Sequence, residues 1–405
     1  MLVRFSKCTA LLLTLALLAG CSLERREQIS SRAAASTIPA ETLAAMDTIG
    51  TDRNQPILIR AFKKESEIEI WKRTRAGQYA LLKTYPVCRW SGQLGPKTRE
   101  GDRQVPEGFY TVTPGQMNPN SALWLSFNVG YPNAMERSLG RTGGDIMVHG
   151  TCSSRGCYAM TNDQMDEIYA VMREAFQGGQ KAVQFQSYPF RMTAENLAKF
   201  RNDTNMPFWK NLKEGNDRFE VTKRDMAVDY CGTRYTFGAT DAPGCGETVS
   251  DPDAAAVSAK MREDDAKVAS LIAGGFSPVR MSYADGDQNS FFRDPAKKKI
   301  LEKYAASGEF SRPEALAAVK EQKLDLKGNV IAETPLQSLT DNTDNSIVTT
   351  SATASVTQSG TATPKSNTSK SDPSFFEKWF GTASSTSDAD SLANTAPVPL
   401  PPPRG

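Results

Sequence analysis

A mainly β fold, with sheets packed as a sandwich, added helices, a helical accessory region and a disordered C-terminal tail, is the architecture this 405-residue sequence predicts. Three observations carry it. Apolar and polar residues alternate between Pro56 and Gly92. Glycine and proline then punctuate the chain at short intervals as far as Asn133. Beyond Glu333 serine and threonine dominate and large hydrophobics become sparse. Short strands at such spacing build sandwiches or barrels, and a polar tail cannot bury enough apolar surface to offset the entropy of ordering.

Taken in order, the chain opens with Arg4 and Lys7, an apolar run from Leu11 to Leu18 and then Ala19-Gly20-Cys21, the layout of a secretory signal over residues 1–20. The run is too short to span a bilayer. Leu18-Ala19-Gly20-Cys21 resembles the bacterial lipobox, which implies that Cys21 is acylated and becomes the first residue of the mature chain. Ser22 after it points to the outer rather than the inner membrane. The resemblance thus implies a lipid-anchored protein of the bacterial periplasm. Residues 21–54 are polar and alanine-containing, a tether with one short helix expected over Ala40–Met46.

The strand signal starts in "PILIRAFKKESEIEIWKR", where Ile68 and Ile70 alternate with charged neighbours as in one half-buried strand of a hairpin, and "QYALLKTYPVCRWSG" continues it. "LGPK", "PEGFYTVTPGQMNP" and "NVGYPN" supply the turns. The period then changes. "TNDQMDEIYAVMREAF" predicts a helix capped by Thr161 or Asn162, with Met165, Ile168, Met172 and Phe176 near one face. "TAENLAKFRN" predicts a shorter helix after Thr193, and "FWKNLKEGNDRFEVTK" reads as a return towards strand. Residues 55–246 form the expected main domain.

Over 247–333, "DAAAVSAKMREDDAKVASLIAG" and "PEALAAVKEQK" predict accessory helices with few large apolar residues to bury. The tail, 334–405, ends in "PVPLPPPRG". Its one island, "PSFFEKWFG", groups Phe375, Phe376, Trp379 and Phe380 either as an amphipathic turn for a partner or membrane surface, or as a local cluster in a flexible tail.

Composition excludes some function classes. Lys+Arg 48 against Asp+Glu 46 leaves a net charge of +2, without the basic footprint that nucleic acid requires. One histidine, a Cys152/Cys157 pair and the lack of HExxH or CxxC do not assemble a zinc site, so neither metal nor cofactor is expected.

The chemistry concentrates in "VHGTCSSRGCYAM", Val148 to Met160, which holds the sole histidine, His149, upstream of Cys157. "GGDIMVHG" reads as a strand entering a tight turn, and Gly156 directly before the cysteine permits close approach by a substrate. A thiol with a pKa of about 8.5 needs a partner to ionise near neutrality, and a neighbouring imidazolium is the expected one.

His-Gly, a short loop and Ser-x-Gly-Cys-x-x-Met resemble the L,D-transpeptidase catalytic domain (YkuD-type) that acts on bacterial peptidoglycan. Val105-Pro106-Glu107-Gly108-Phe109-Tyr110 resembles that family's TPxGxF strand entry, so the similarity runs over about Ile57 to Phe190. The resemblance implies a β-sandwich with small helical additions, His149 as base and Cys157 as nucleophile. It places Ser154, Arg155, Gly156 and Gly150 on the substrate or oxyanion side, with the backbone N–H groups around Gly156 and Cys157 as oxyanion donors. Arg155 is the expected partner of a stem-peptide carboxylate, or else a solvated loop residue.

Three departures touch this end of the site. Arg155 stands where the family usually has histidine, Ala159 where it has arginine, and the His-to-Cys loop is shorter than in most members. The whole pattern is most similar to the branch that includes a murein diaminopimelate amidase, which frees a covalently attached outer-membrane protein from peptidoglycan. Transpeptidase and amidase share acylation and differ in whether amine or water accepts the acyl group. A non-catalytic peptidoglycan-binding module is the reading from another class.

With Cys8 in the signal, Cys21 lipidated and Cys157 catalytic, Cys88, Cys152, Cys231 and Cys245 remain, an even number for an oxidising compartment. Their pairing stays open: Cys231 with Cys245 would close a small loop, Cys88 could equally reach Cys231, and Cys152 is a plain thiol or forms a redox disulfide with Cys157.

Overall fold

The alternating stretch folds into a meander. In this computed structural model, which describes residues 33, 35–242, 244–246, 250–293, 319–325 and 327–335, helix α1 (Ala40–Thr48) leads into β1 (Ile57–Phe62), β2 (Glu67–Arg73) and β3 (Tyr79–Pro86). The signal segment, Cys21 and the tail with its aromatic island lie outside the described residues. Next come β4 (Arg89–Trp90), β5 (Gly108–Val112), β6 (Met117–Asn118), β7 (Ser126–Asn128), the short helix α2 (Ala134–Ser138), β8 (Met147–His149), β9 (Tyr158–Ala159), α3 (Asn162–Gln177) and β10 (Val183–Tyr188).

Two five-stranded sheets result, ordered β3-β2-β1-β10-β5 and β4-β9-β8-β7-β6. Each holds one parallel pair, β1 with β10 and β8 with β9, among antiparallel neighbours. The sheets face each other through Phe185 of β10, whose ring lies 6.2 Å from Phe127 on β7 and 6.1 Å from Tyr158 on β9. Tyr158 also hydrogen-bonds Ser187 across the gap at 2.8 Å. The sandwich architecture expected from the turn spacing is therefore present.

The half-buried strand expected around Ile68 and Ile70 is covered more deeply than that: Glu69 between them is buried, as are all six residues of the neighbouring β1. The cause is a second layer. "FWKNLKEGNDRFEVTK", read as a return towards strand, is instead most of helix α5 (Met206–Thr222), which follows α4 (Ala194–Lys199). Trp209, Leu212 and Phe219 recur at helical spacing and pack on Leu58, Phe62 and Tyr188, with Phe219 edge-on to Trp71 at 5.1 Å. The interposed Lys, Glu, Asn and Asp residues masked that stripe. Truncating a fully buried ring such as Trp209 typically removes about 3–5 kcal/mol.

Elsewhere the local signals hold. Thr161 is the cap of α3: its hydroxyl accepts from Gln164 N–H at 3.2 Å while Gln164 Oε1 accepts from Thr161 N–H at 3.0 Å. Glu107 of "PEGFY" is a buried anchor, held by Lys63 at 2.9 Å and by Trp209 Nε1 at 2.8 Å. It ties the entrance of β5 to the end of β1 and to α5.

After α5 the hairpin β11 (Ala227–Cys231) and β12 (Arg234–Gly238) is closed by the disulfide Cys231–Cys245. The accessory region brings one expected helix, α6 (Ala254–Ala273), which buries only Val257 and Asp264 and docks through charge, Lys213 reaching Asp264 at 2.8 Å. It then departs from the helical expectation, forming a three-stranded antiparallel sheet of β13 (Val279–Ser282), β14 (Lys320–Leu324) and β15 (Val330–Pro335). The end of "PEALAAVKEQK" is strand β14. Its helix formers carry no apolar stripe to bury, so pairing with β13 and β15 decides its conformation.

Candidate active site

His149 and Cys157 meet through the parallel pair β8–β9. The register sets Val148 opposite Tyr158 and His149 opposite Ala159, so Cys157, directly before β9, falls on the same face as His149. Only seven residues separate them in the chain, few for a parallel crossover. The loop turns back by placing Thr151 (φ +71°) and Cys152 (φ +44°) in the left-handed region. Three fastenings hold it there: the disulfide Cys88–Cys152, a bond from Thr151 N–H to Asn162 Oδ1 at 2.8 Å, and one from Cys152 N–H to Met160 O at 3.0 Å. With Cys152 bonded to Cys88 and Cys157 a free thiol, the proposed Cys152–Cys157 redox pair does not form.

Both side chains line one open cavity of about 640 Å³, together with Lys97, Glu100, Arg103, Asp145, Ser153, Arg155 and Gly156. His149 is 2% exposed. Its Nδ1 lies 2.6 Å from Gly150 O. A carbonyl only accepts, so Nδ1 carries the proton and Nε2 keeps its lone pair. Gly150 thus acts through its carbonyl, not as an oxyanion donor, since its own N–H donates to Leu125 O at 3.2 Å. No larger residue fits there: an added Cβ would stand 2.7 Å from both Asn162 Oδ1 and Trp124 Cβ.

Burial lowers the His149 pKa from 6.5 to about 4, against the opposing pull of the Gly150 carbonyl. The half-buried Cys157 thiol is pushed up by burial, offset in part by the Met147 N–H. Asp145 pushes it further up, and Lys97 and Arg155 pull it down. The resting pair is therefore neutral thiol and neutral imidazole, not the thiolate–imidazolium pair expected from sequence. No hydrogen bond joins the two side chains among the described residues. Sγ instead accepts from Met147 N–H at 3.4 Å and points to Asp145 O at 3.8 Å.

The titration of His149 has a consequence for stability. The unfolded chain takes up a proton near pH 6.5 and the folded one only near 4, so the imidazole leaves stability intact above the first value and erodes it as pH falls towards the second. The expected loss between about pH 7 and 4 is ~3 kcal/mol. Urea unfolding checks it, because the His149→Gln variant should lack this part of the wild type's acid sensitivity.

Ser154 pins the nucleophile's backbone. Its buried hydroxyl accepts from Gly156 N–H at 3.2 Å and Cys157 N–H at 3.1 Å, donates to Cys157 O at 2.7 Å, and receives Ser91 Oγ at 3.0 Å. The two N–H groups expected as oxyanion donors are thus engaged by Ser154 in the resting loop. Gly156 sits at φ +125°, a conformation closed to side-chain residues. Arg155 is exposed at the cavity wall, and Ala159, in the place of the family's arginine, is fully buried in β9.

Sequence reasoning missed Met147, Lys97, Arg103, Asp145 and Ser91. Met147 acts through main chain, which no side-chain pattern reveals. Lys97 closes the "LGPK" turn, where it reads as an ordinary solvated lysine.

Comparison with known proteins bears on the family. The family model described as "YkuD: L,D-transpeptidase catalytic domain" matches residues 62–182. The chain is 42% identical over 180 residues to the "Putative L,D-transpeptidase YafK" of Escherichia coli strain K12, covering 44% of this chain and 73% of that protein, and equally to its counterpart in E. coli O157:H7. Among solved structures, the helical cell shape determining protein Pgp2 from Campylobacter jejuni matches at 16% identity over 72% of this chain and 99% of that one, with a TM-score of 0.26, too low to bear on the assignment. Identity at that level along most of a relative's length places the chain in the L,D-transpeptidase (YkuD) family, and with it a peptidoglycan-related function.

Proposed function

We propose that this protein is a cysteine acyl transferase acting on peptidoglycan stem peptides, with Cys157 as nucleophile and His149 as general base. One observation carries the reading: the sole imidazole and a free thiol project from the same face of β8–β9 into one cavity. The thiol proton passes to His149 Nε2 as Sγ attacks a carbonyl of a diaminopimelate residue. The C–N bond then breaks, the imidazolium protonates the leaving amine, and a thioester remains. An acceptor gives its proton to His149, attacks the thioester and returns the thiol. Because both groups rest neutral, proton transfer accompanies attack, a general-base contribution typically of ~10²–10⁴-fold.

An amine as acceptor makes the protein a transpeptidase, and water makes it an amidase that releases covalently attached outer-membrane protein. Mass spectrometry of muropeptides distinguishes them, using sacculi that carry such protein, incubated with wild type and Cys157→Ala. New cross-links or amine exchange support the first, and released protein supports the second. The absence of any Cys157-dependent change would sink both and leave the binding module. The same reading places the protein in the periplasm, tethered to the outer membrane through Cys21.

Arg155 is assigned to a stem-peptide carboxylate, because it is exposed at the cavity wall and its planar fork suits bidentate pairing. Arg155→Ala is expected to raise KM roughly tenfold with little change in kcat, the pattern of lost uniform binding. Steady-state kinetics on a purified stem peptide would refute this with an unchanged KM.

A further inference from the structure

The segment after β13 runs beside β4 at the edge of the sheet that carries the site. Trp90 N–H donates to Asp287 O at 3.0 Å and Asp287 N–H returns to Trp90 O at 3.2 Å. Gly286 N–H donates to Gly92 O at 2.7 Å and Asn289 N–H to Val87 O at 3.0 Å. Tyr283 N–H donates to Gln93 Oε1 at 3.2 Å, and its ring packs edge-on to Trp90 at 5.1 Å. This stitching sets Asp285, only 3% exposed, against Arg103 in the cavity wall. Arg103 Nε donates to Asp285 Oδ1 at 3.1 Å, and Nη2 donates to Oδ2.

Arg103 in turn meets the nucleophile loop twice. Its Nη2 points to Ser154 O at 3.5 Å. Its backbone, at φ +56°, backs onto Gly156, whose added Cβ would lie 3.6 Å from Arg103 C. The loop is thus held at Cys152 by Cys88, at Ser154 by Ser91, and at Ser154–Gly156 by Arg103. The third of these supports runs through a side chain beyond position 246, the Asp285 carboxylate paired with Arg103.

We propose that Asp285 is a positioning residue for Cys157: acting through Arg103, it steadies the Ser154–Gly156 stretch, so that the accessory region completes the active site. The inference rests on the Cys157 reading above. A paired fork keeps the guanidinium from swinging into the cavity and gives the loop a fixed wall on that side. Without Asp285 the loop can drift, and the contact it loses first is the long one from Met147 N–H to Sγ, which favours the thiolate.

The test is alkylation of Cys157 by iodoacetamide as a function of pH, read on its own peptide by mass spectrometry in the full chain, with thermal melting in parallel. Asp145, Lys97 and Arg155, whose charges act on the thiol, and Glu100 and the titratable His149 in the same cavity are unaltered in every variant, and Arg103 is unaltered in the Asp285 variants. For Asp285→Ala the midpoint is expected about one pH unit higher, which is roughly tenfold slower alkylation at neutral pH. Asp285→Glu should recover most of the rate. The direction discriminates, because removing a negative charge without loop drift would lower the midpoint, and a merely stabilising role would lower the melting temperature alone. An unchanged or lowered midpoint overturns the proposal. Should Asp285→Ala not fold, Arg103→Lys, which keeps the charge and loses the fork, is held to the same expectation. A wild type whose Cys157 shows no titrating reactivity at all would instead defeat the nucleophile assignment.

Discussion

Cys157→Ala is expected to reduce acyl transfer to background, because the described residues offer no other thiol in the cavity to form the thioester. His149→Gln should cost about 10²–10⁴-fold in kcat, the usual range for a general base. The two losses should not add: once the nucleophile is gone, the base has no proton to take, and the double variant should be no worse than Cys157→Ala. Turnover of a purified stem peptide measures all three variants. A Cys157→Ala variant with more than about one per cent of wild-type turnover would require another nucleophile, since removing an essential nucleophile typically costs far more than a hundredfold. The neutral resting pair adds a qualifier to the His149 arm. A base that must remove the proton during attack matters at neutral pH and much less at a pH high enough to ionise the half-buried thiol. The His149→Gln deficit should therefore shrink as pH rises.

Removal of the Cys88–Cys152 disulfide is expected to cost more stability than removal of Cys231–Cys245. The bridge closes a loop with a sequence separation of 64, against 14 for Cys231–Cys245. Loop-closure entropy then assigns about 4 kcal/mol to the first and about 3 kcal/mol to the second. Set against a typical domain stability of about 5–15 kcal/mol, either is a substantial share. Urea unfolding of Cys88→Ala/Cys152→Ala and of Cys231→Ala/Cys245→Ala should reproduce that order. Activity should separate them more sharply than stability, because only the first bridge anchors the loop between His149 and Cys157. A folded but less stable and slow Cys88→Ala/Cys152→Ala protein is the expected outcome, and one that is fully active would contradict the role given to this bridge.

The pairing of His149 with Cys157 was legible because a lone histidine at the end of a strand pattern, a glycine and a cysteine fell in one short stretch. Helix α3 was legible for a similar reason, its capping box and apolar face lying close together in sequence. What escaped was set by tertiary context. The apolar stripe of α5 is diluted by Lys213, Asn216 and Asp217, which are buried and paired in the fold but read as surface residues in the sequence. Strand β14 is a short segment whose partners lie on either side of it, and local propensity favours helix. The protonation of the dyad could not be read either, because burial of His149 depends on the whole β7–β9 sheet. The Ser154 hydroxyl looked like a substrate contact for want of any clue that Ser91 and two main-chain N–H groups converge on it.

A chain with a single histidine, placed where this one is, also carries its own spectroscopic reporter. One imidazole means one pair of ring-nitrogen resonances in the entire protein, needing no mutagenesis to assign. The Nδ1–H tautomer held by Gly150 O has a nitrogen shift pattern distinct from that of the other neutral tautomer and from the cation. Every stage of the proposed acyl-transfer cycle that moves a proton on or off Nε2 would therefore appear as a displacement of that one signal, observable in the native chain while substrate is present.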